Sequence, residues 1–402
     1  MQNKMTNLPQ GWEVKKLEEI ANIKGGKRLP KGKNLLDNNT KFAYIRVADF
    51  QDNGTINLQN IKFINENTYN VLKNYKIYDD NLYISIAGTI GKSGIIPKEL
   101  NGAILTENAV KLEYIQNNIS NKFMYFFTLS NIFKTQIQTS TKIVAQPKLA
   151  ITRLKQIQIP LPPLKEQERI VGILDESFAK IDESIKILEQ DLLNLDELMQ
   201  SALQKAFNPL KDNAKENYKL PQSWEWKSLE EISENISAGG DKPKNCTESK
   251  TAKNQIPVYA NGVNNNGLVG YTDKATIIKP SLTISARGTI GFVCIRKEPY
   301  FPIVRLISLI PCENILCLHY LYFCLNFFIA KGEGSSIPQL TIPKFKSLQI
   351  PLPPLKEQEQ IAKHLDFIFE KTKALKELYT KELKDYEELK QSLLNKAFKG
   401  EL

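Results

Sequence analysis

The stretch Ile159-Pro-Leu-Pro-Pro-Leu-Lys-Glu-Gln-Glu168 recurs residue for residue as Ile350-Pro-Leu-Pro-Pro-Leu-Lys-Glu-Gln-Glu359. Each copy opens a long run with helical periodicity, so the chain reads as a tandem duplication. The offset between copies stays at 191 residues (159 to 350) through Lys205-Ala-Phe207 and Lys396-Ala-Phe398, with nothing inserted or deleted. Upstream, the repeat has drifted. Leu8-Pro-Gln-Gly-Trp-Glu13 with Leu17-Glu-Glu-Ile20 returns as Leu220-Pro-Gln-Ser-Trp-Glu225 with Leu229-Glu-Glu-Ile232, at an offset of 212 (8 to 220). Gly88-Thr-Ile-Gly91 returns as Gly288-Thr-Ile-Gly291, at an offset of 200 (88 to 288). Insertions therefore lengthen the first globular segment relative to the second, while the helical runs keep a fixed length.

The proline-rich opening of each run fixes several φ angles and keeps residues before proline out of the α region. Residues 158–163 are therefore expected to be extended, with Pro163 at a helix N-terminus and Glu166 and Glu168 suiting the helix dipole. From there Leu174, Phe178, Ile181, Ile185, Leu188, Leu192, Leu195, Met199, Ala202 and Ala206 alternate steps of four and three, a heptad seam. A run from Leu164 to Phe207 spans roughly 66 Å at 1.5 Å per residue and must bury its seam against a partner of similar length. The second run supplies one in Leu365, Phe369, Tyr379, Leu383, Tyr386, Leu393 and Ala397, interrupted by Lys376 and Lys390. Antiparallel pairing within one chain, with a globular domain at each end, is the simplest arrangement; a homodimer through either helix is the alternative. Asn208-Pro209 ends the first run, and the polar stretch 211–219 links to the second half. Short β-rich runs such as Phe42–Val47 and Leu82–Ile86, followed by an aromatic helix near 121–137, make residues 1–158 a mixed α/β domain.

With 402 residues, 42% of them hydrophobic and 24% charged, the chain has length for two separate cores. Fifty-four Lys and Arg against 44 Asp and Glu favour a polyanionic partner, because phosphate contacts release condensed counterions. The five cysteines, Cys246, Cys294, Cys312, Cys317 and Cys324, form no CxxC pair and read as reduced thiols; Cys312, Cys317 and His319 lack a fourth ligand and closed spacing, so no metal site is expected. The N-terminus carries no apolar signal region and the longest apolar run, Leu318 to Ala330, is too short to span a bilayer. A cytoplasmic protein without membrane contact is expected.

Little here points to catalysis. Ala87-Gly-Thr-Ile-Gly-Lys-Ser93 looks like a phosphate loop but would need glycine where Ile86 stands, and its second copy carries Phe292-Val293 in place of Lys92-Ser93. A tight turn after a strand, with glycine at positive φ, is the better reading. No amino-methyltransferase or nuclease motif is found, and two histidines, His319 and His364, support no histidine-based centre. No catalytic residue is assigned. The polar loops are the candidates to meet DNA: Lys24, Lys27, Arg28, Arg46, Lys92, Lys142 and Gln146 in the first half, and Lys242, Lys244, Asn264, Asn265, Arg287, Arg305 and Gln339 in the second. Arginine reads guanine and Asn or Gln reads adenine through paired hydrogen bonds, while lysine mostly meets phosphate.

Together, the paired Ile-Pro-Leu-Pro-Pro-Leu-Lys-Glu-Gln-Glu motifs, the Leu-Pro-x-x-Trp openings, Ser285-Ala-Arg-Gly-Thr-Ile-Gly291 and Ile337-Pro-Gln-Leu340 resemble the specificity subunit of type I restriction-modification systems, over nearly the whole chain. The resemblance implies an α/β (α+β) fold: two tandem, pseudo-repeated target recognition domains at 1–158 and 210–349, separated by long helices at 159–209 and 350–402 that form an antiparallel coiled coil. It implies a non-catalytic reader of double-stranded DNA. Each recognition domain would take one half of a bipartite, asymmetric target, and the coiled coil would set the spacer. Methyltransferase subunits that methylate adenine N6 with S-adenosylmethionine, and restriction subunits that use ATP and Mg, are the implied partners. No cofactor is expected in this chain. Lys165, Glu166, Gln167, Lys356, Glu357 and Gln358 are candidates to contact methyltransferase subunits, with helix-start capping as an equal explanation. A structural coiled-coil scaffold, or a cryptic nuclease or methyltransferase, is the competing reading.

Overall fold

The motifs that repeat along the chain pair with each other in space. The computed structural model describes residues 8–140, 148–207, 220–329, 332–333 and 340–402. Glu13–Lys16, directly after Trp12, runs antiparallel to Gln158–Leu161, with Glu13 opposite Leu161 and Val14 opposite Pro160. Glu225–Ser228, after Trp224, pairs in the same register with Gln349–Leu352. The prolines are tolerated because each ribbon has only two strands, which leaves proline's missing N–H facing no partner. Each ribbon leads into the short helix Leu17–Ile20 or Leu229–Ile232; in the second copy Ser228 and Glu231 cap it reciprocally.

Two units divide the chain, Met1–Leu188 with Lys381–Leu402, and Glu189–Thr380. Their main sheets share one topology. In unit 1 the antiparallel order is Ala21–Gly25, Ala109–Tyr114, Leu82–Ser85, Ser93–Ile95; in unit 2 it is Ser233–Ala238, Ile307–Pro311, Ser281–Ile284, Val293–Arg296. A second sheet repeats as well. Ala43–Ile45 lies antiparallel to Lys62–Phe63 and parallel to Ala103–Leu105, just as Ile256–Tyr259 lies antiparallel to Leu268–Thr272 and parallel to Phe301–Pro302. The fourth strand of unit 1, Lys76–Ile77, is reduced in unit 2 to one bridge between Ile277 and Tyr300. Part of the length difference lies in the hairpin of this second sheet, where residues 46–61 of unit 1 answer to 260–267 of unit 2.

The first long helix runs from Leu164 to Phe207 and the second from Leu355 to Ala397. Both start where the prolines end, with the Glu166 amide donating to the Pro163 carbonyl at 2.9 Å. Leu174, Ile181, Leu188 and Leu195 are buried at strict heptad spacing. Within unit 1 the start of the first helix packs antiparallel on the end of the second: Leu174, Leu394 and Phe398 share one core, and Phe398 sits 5.1 Å from Phe123 and 5.4 Å from Phe127, centroid to centroid. Within unit 2 the roles exchange. Leu203 and Phe207 join Ala362 and Leu365, and Phe207 meets Tyr320 at 5.5 Å and Phe327 at 5.6 Å. The repeated Lys-Ala-Phe endings thus plug the aromatic helix of each unit.

That aromatic helix differs from expectation in unit 1, where Asn121–Leu129 and Asn131–Ser140 are separate helices. Ser130 breaks the run with extended backbone, donating its hydroxyl to the Phe127 carbonyl and accepting the Phe133 amide. Unit 2 keeps one helix, Leu318–Phe328. Among the described residues, no helix is long and apolar enough to cross a membrane.

Candidate nucleic-acid interface

Strand register gathers the candidate residues of each unit at one end of its sheets. In unit 2, Ala238 and Ile284 both lie opposite Ile307, and Tyr259 lies beside Pro302. The loops that follow or precede these residues are therefore neighbours, bringing together Lys242, Lys244, Asn264, Asn265, Arg287 and Arg305. All six are exposed. None of the four cations forms an ion pair among the described residues, so their charge is available to an incoming phosphate or base.

Three loops of this cluster are bound together by Asn261. Its Oδ1 accepts the Ala286 amide at 2.9 Å and its Nδ2 donates to the Val304 carbonyl at 2.5 Å. Val304 and Arg305 stand in the left-handed region, at φ 52° and 59°, a strained conformation for a β-branched residue. The Gly240 and Gly239 carbonyls hold them by accepting their amides at 2.8 and 2.9 Å. Gly239 is obligatory there, because a Cβ would come within 2.6 Å of the Ile303 amide nitrogen. Asn261's role is not legible from the sequence, since its partner carbonyl lies 43 residues downstream.

Unit 1 gathers Lys27, Arg28, Arg46 and Lys92 at the matching end, where Gly25 lies opposite Val110, Ser85 opposite Ala109 and Ile45 beside Leu105. Here carboxylates occupy the cations. Arg28 Nε donates to Glu107 at 2.6 Å, Lys24 meets Glu113 at 2.5 Å, and Lys92 meets Asp52 at 2.7 Å. Burial pushes the Glu107 carboxyl up, but hydrogen bonds from Arg28 and Thr106 more than offset this and hold it below the usual range. Glu113 is held low in the same way by Lys111 and Lys24. Lys27 lies over the Tyr75 ring at 5.8 Å and receives a hydrogen bond on its carbonyl from the Tyr44 hydroxyl.

Arg46 is different, because its partner is inside the protein. Asp49 is 1% exposed and takes the Arg46 guanidinium at 2.5 and 3.0 Å and its amide at 2.8 Å, while the same guanidinium donates to the Asn60 carbonyl. These contacts make Arg46 a structural residue of the 46–61 loop. Lys142, Gln146 and Gln339 lie outside the described residues.

At the helix starts, Lys165 and Lys356 are exposed, but Gln167 and Gln358 are buried, at 1% and 0% exposure. Gln167 accepts the Ser120 amide and donates to the Asn118 and Pro162 carbonyls; Gln358 accepts the Cys317 amide and donates to the Ile315 and Pro353 carbonyls. Their expected role as surface contacts is corrected: each glutamine ties its long helix to the start of the aromatic helix in its own unit. Glu166 bonds Arg169 at 2.8 Å and Glu357 accepts from Trp224 Nε1 at 3.1 Å. His319 shares a 2.8 Å hydrogen bond with Asp366. Gly88, Gly91, Gly288 and Gly291 all have positive φ, as a tight turn requires.

The sequence profile described as "Type I restriction modification DNA specificity domain" matches residues 9–192 and again 221–385. The chain belongs to this family. The doubled match coincides with the doubled topology. Among its relatives is S.MpnORF507P of Mycoplasma pneumoniae, named as a type I specificity subunit, 29% identical over 360 residues that cover 88% of each chain. The specificity subunit of the type I restriction enzyme StySPI of Salmonella potsdam is 23% identical over 98% of this chain and 90% of its own. The crystal structure of the HsdS subunit from Thermoanaerobacter tengcongensis shares the fold, with a TM-score of 0.61 and 21% identity over the whole of both chains. A chain from a structural study of type I restriction-modification complex assembly aligns at a TM-score of 0.80, again with 21% identity, over 98% of this chain and all of its own.

Proposed function

We propose that this specificity-family chain is the DNA-reading, non-catalytic subunit of a type I restriction-modification complex. The observation that carries the reading is the loop cluster at one end of the sheets in each of two units of one topology: one architecture, presented twice, with different side chains. Two recognition domains, 1–158 and 210–349, would each take one half of a bipartite target in double-stranded DNA. The half-sites would differ, since Arg287 stands where unit 1 has Ala87 and the 260–267 loop is shorter than its unit 1 counterpart 46–61. The helical segments 159–209 and 350–402 would set the spacer and carry methyltransferase subunits, with restriction subunits joining that core. S-adenosylmethionine, ATP and Mg would be held by those partners.

Single-molecule sequencing of adenine methylation tests this, in a host expressing the chain with its cognate methyltransferase subunit against a host lacking only this chain. A new bipartite methylated motif that appears only with the chain is the expected result. Absence of any new motif, with the complex soluble and assembled, would overturn it and favour a scaffold.

A further inference from the structure

Resting on that reading, we infer that the loop Asn261–Asn266 of unit 2 is a preformed element that reads adenine in one half-site, with Arg296 as the residue that positions it. The loop joins Ile256–Tyr259 to Leu268–Thr272 and is closed at its base by the Ala260 amide donating to the Gly267 carbonyl at 2.9 Å. Gly267 has φ 79°, and a Cβ there would lie 2.5 Å from the Ala260 oxygen, so only glycine permits so tight a closure. At the apex Asn265 and Asn266 are left-handed, at φ 47° and 52°, a conformation that asparagine tolerates better than most residues. Asn264, Asn265 and Asn266 are exposed, and none of their side-chain amides bonds to another described residue. An asparagine amide matches the N6 and N7 edge of adenine with two hydrogen bonds.

Beneath the apex lies an unusual group. Arg296 is 8% exposed, on a strand of the main sheet, and forms no ion pair among the described residues. Its guanidinium lies 3.5 Å from the centroid of the Tyr259 ring, donates from Nε to Thr283 Oγ1 at 3.0 Å, and donates from a terminal nitrogen to the Asn266 carbonyl at 2.5 Å. Burying a guanidinium is costly unless the ring and the acceptors offset its lost hydration. The fold does not demand it: at the matching position, one residue past the strand Ser93–Ile95, unit 1 has Ile96, also buried. Arg296 is therefore specific to unit 2, and what it adds there is a fixed left-handed apex. An apex already in its bound shape loses little freedom on meeting DNA.

The test uses the full chain in complex with its methyltransferase subunit, and reads the methylated motif and the melting temperature together. Asn264→Ala removes one amide; Asn265→Gly removes another while keeping positive φ accessible. Arg296→Met removes the stack and the bridge, and Arg296→Lys retains the charge. Expected for both asparagine variants is roughly tenfold weaker discrimination at one or two adenine-containing positions of a single half-site, with the other half-site and the spacer intact. Arg296→Met should loosen the same positions, and Arg296→Lys should loosen them less. Unchanged motifs in both asparagine variants would overturn the proposal, even if Arg296→Met failed to fold. A lowered melting temperature with an unchanged motif in Arg296→Met would reduce Arg296 to a purely structural role. A wild-type chain that yields no bipartite motif would remove the underlying specificity reading, and this inference with it.

Discussion

Gln167 and Gln358 each satisfy three backbone groups from a buried site. Replacing either with alanine strands those groups away from water, which should cost about 2–4 kcal/mol, given roughly 1–3 kcal/mol for each buried group left unpaired. Thermal unfolding of Gln167→Ala and Gln358→Ala should show clearly lowered midpoints, whereas Lys165→Ala and Lys356→Ala should differ little from wild type. Arg46 is subject to the same reasoning: Arg46→Ala leaves Asp49 as an unpaired buried carboxylate and should cost about 3 kcal/mol. Arg287→Ala should leave stability unchanged and weaken DNA binding in a salt-titrated binding assay. From sequence, Arg46 and Arg287 look alike, each following a strand in a polar loop. What separates them is Asp49 three residues on, whose burial is a property of the folded loop. Gln167 likewise reads as a capping or surface residue beside Lys165 and Glu166, because two of its three partners, the Asn118 carbonyl and the Ser120 amide, lie at a helix start almost fifty residues earlier.

Among the elements, the long helices are the most legible. A 44-residue helix with a sustained seam, opened by prolines, leaves few alternatives, and the observed start at Leu164 follows from residue types alone. The lysines that interrupt the second seam were not legible as contacts. Lys390 meets Asp182 at 2.5 Å in unit 1, and Lys376 bonds Asp196 in unit 2. Both lysines lie on the second helix and both aspartates on the first, each pair 14 residues apart (376 to 390, 182 to 196). A helix paired with a copy of itself would gain neither contact, so these charges favour pairing of unlike helices. Lys390→Asp should cost about 1 kcal/mol, and adding Asp182→Lys should restore most of it, as a double-mutant cycle on denaturant midpoints would show. Stability unchanged by the single reversal would remove these contacts from the account of pairing. The main-sheet strands were only partly legible, since short runs such as Ala43–Ile45 acquire their place from partners far along the chain.

For the molecule as a whole, duplication is the governing fact, and it was readable from the first ten repeated residues; the chemistry of the two loop clusters was not. Unit 1 pairs cations of its cluster through carboxylates up to 89 residues away, as Lys24 with Glu113 (24 to 113), whereas Lys242, Lys244, Arg287 and Arg305 of unit 2 form no ion pair among the described residues. If the helical segments set the spacer, one heptad added to each helix lengthens each by about 10 Å, near three base-pair steps. Methylation sequencing of such a variant should return the same half-sites with a longer spacer; an unchanged spacer would refute a ruler role. The two-stranded ribbons carry one more consequence. Because Glu13 lies opposite Leu161 and Glu225 opposite Leu352, the chain enters and leaves each globular body at adjacent points. Everything between those points is topologically a closed excursion from the helical frame. A foreign excursion that ends in the same paired strands, and brings its own partners for Gln167 or Gln358 and for the helix-end phenylalanine, can be grafted in its place without altering the length or phase of either helix.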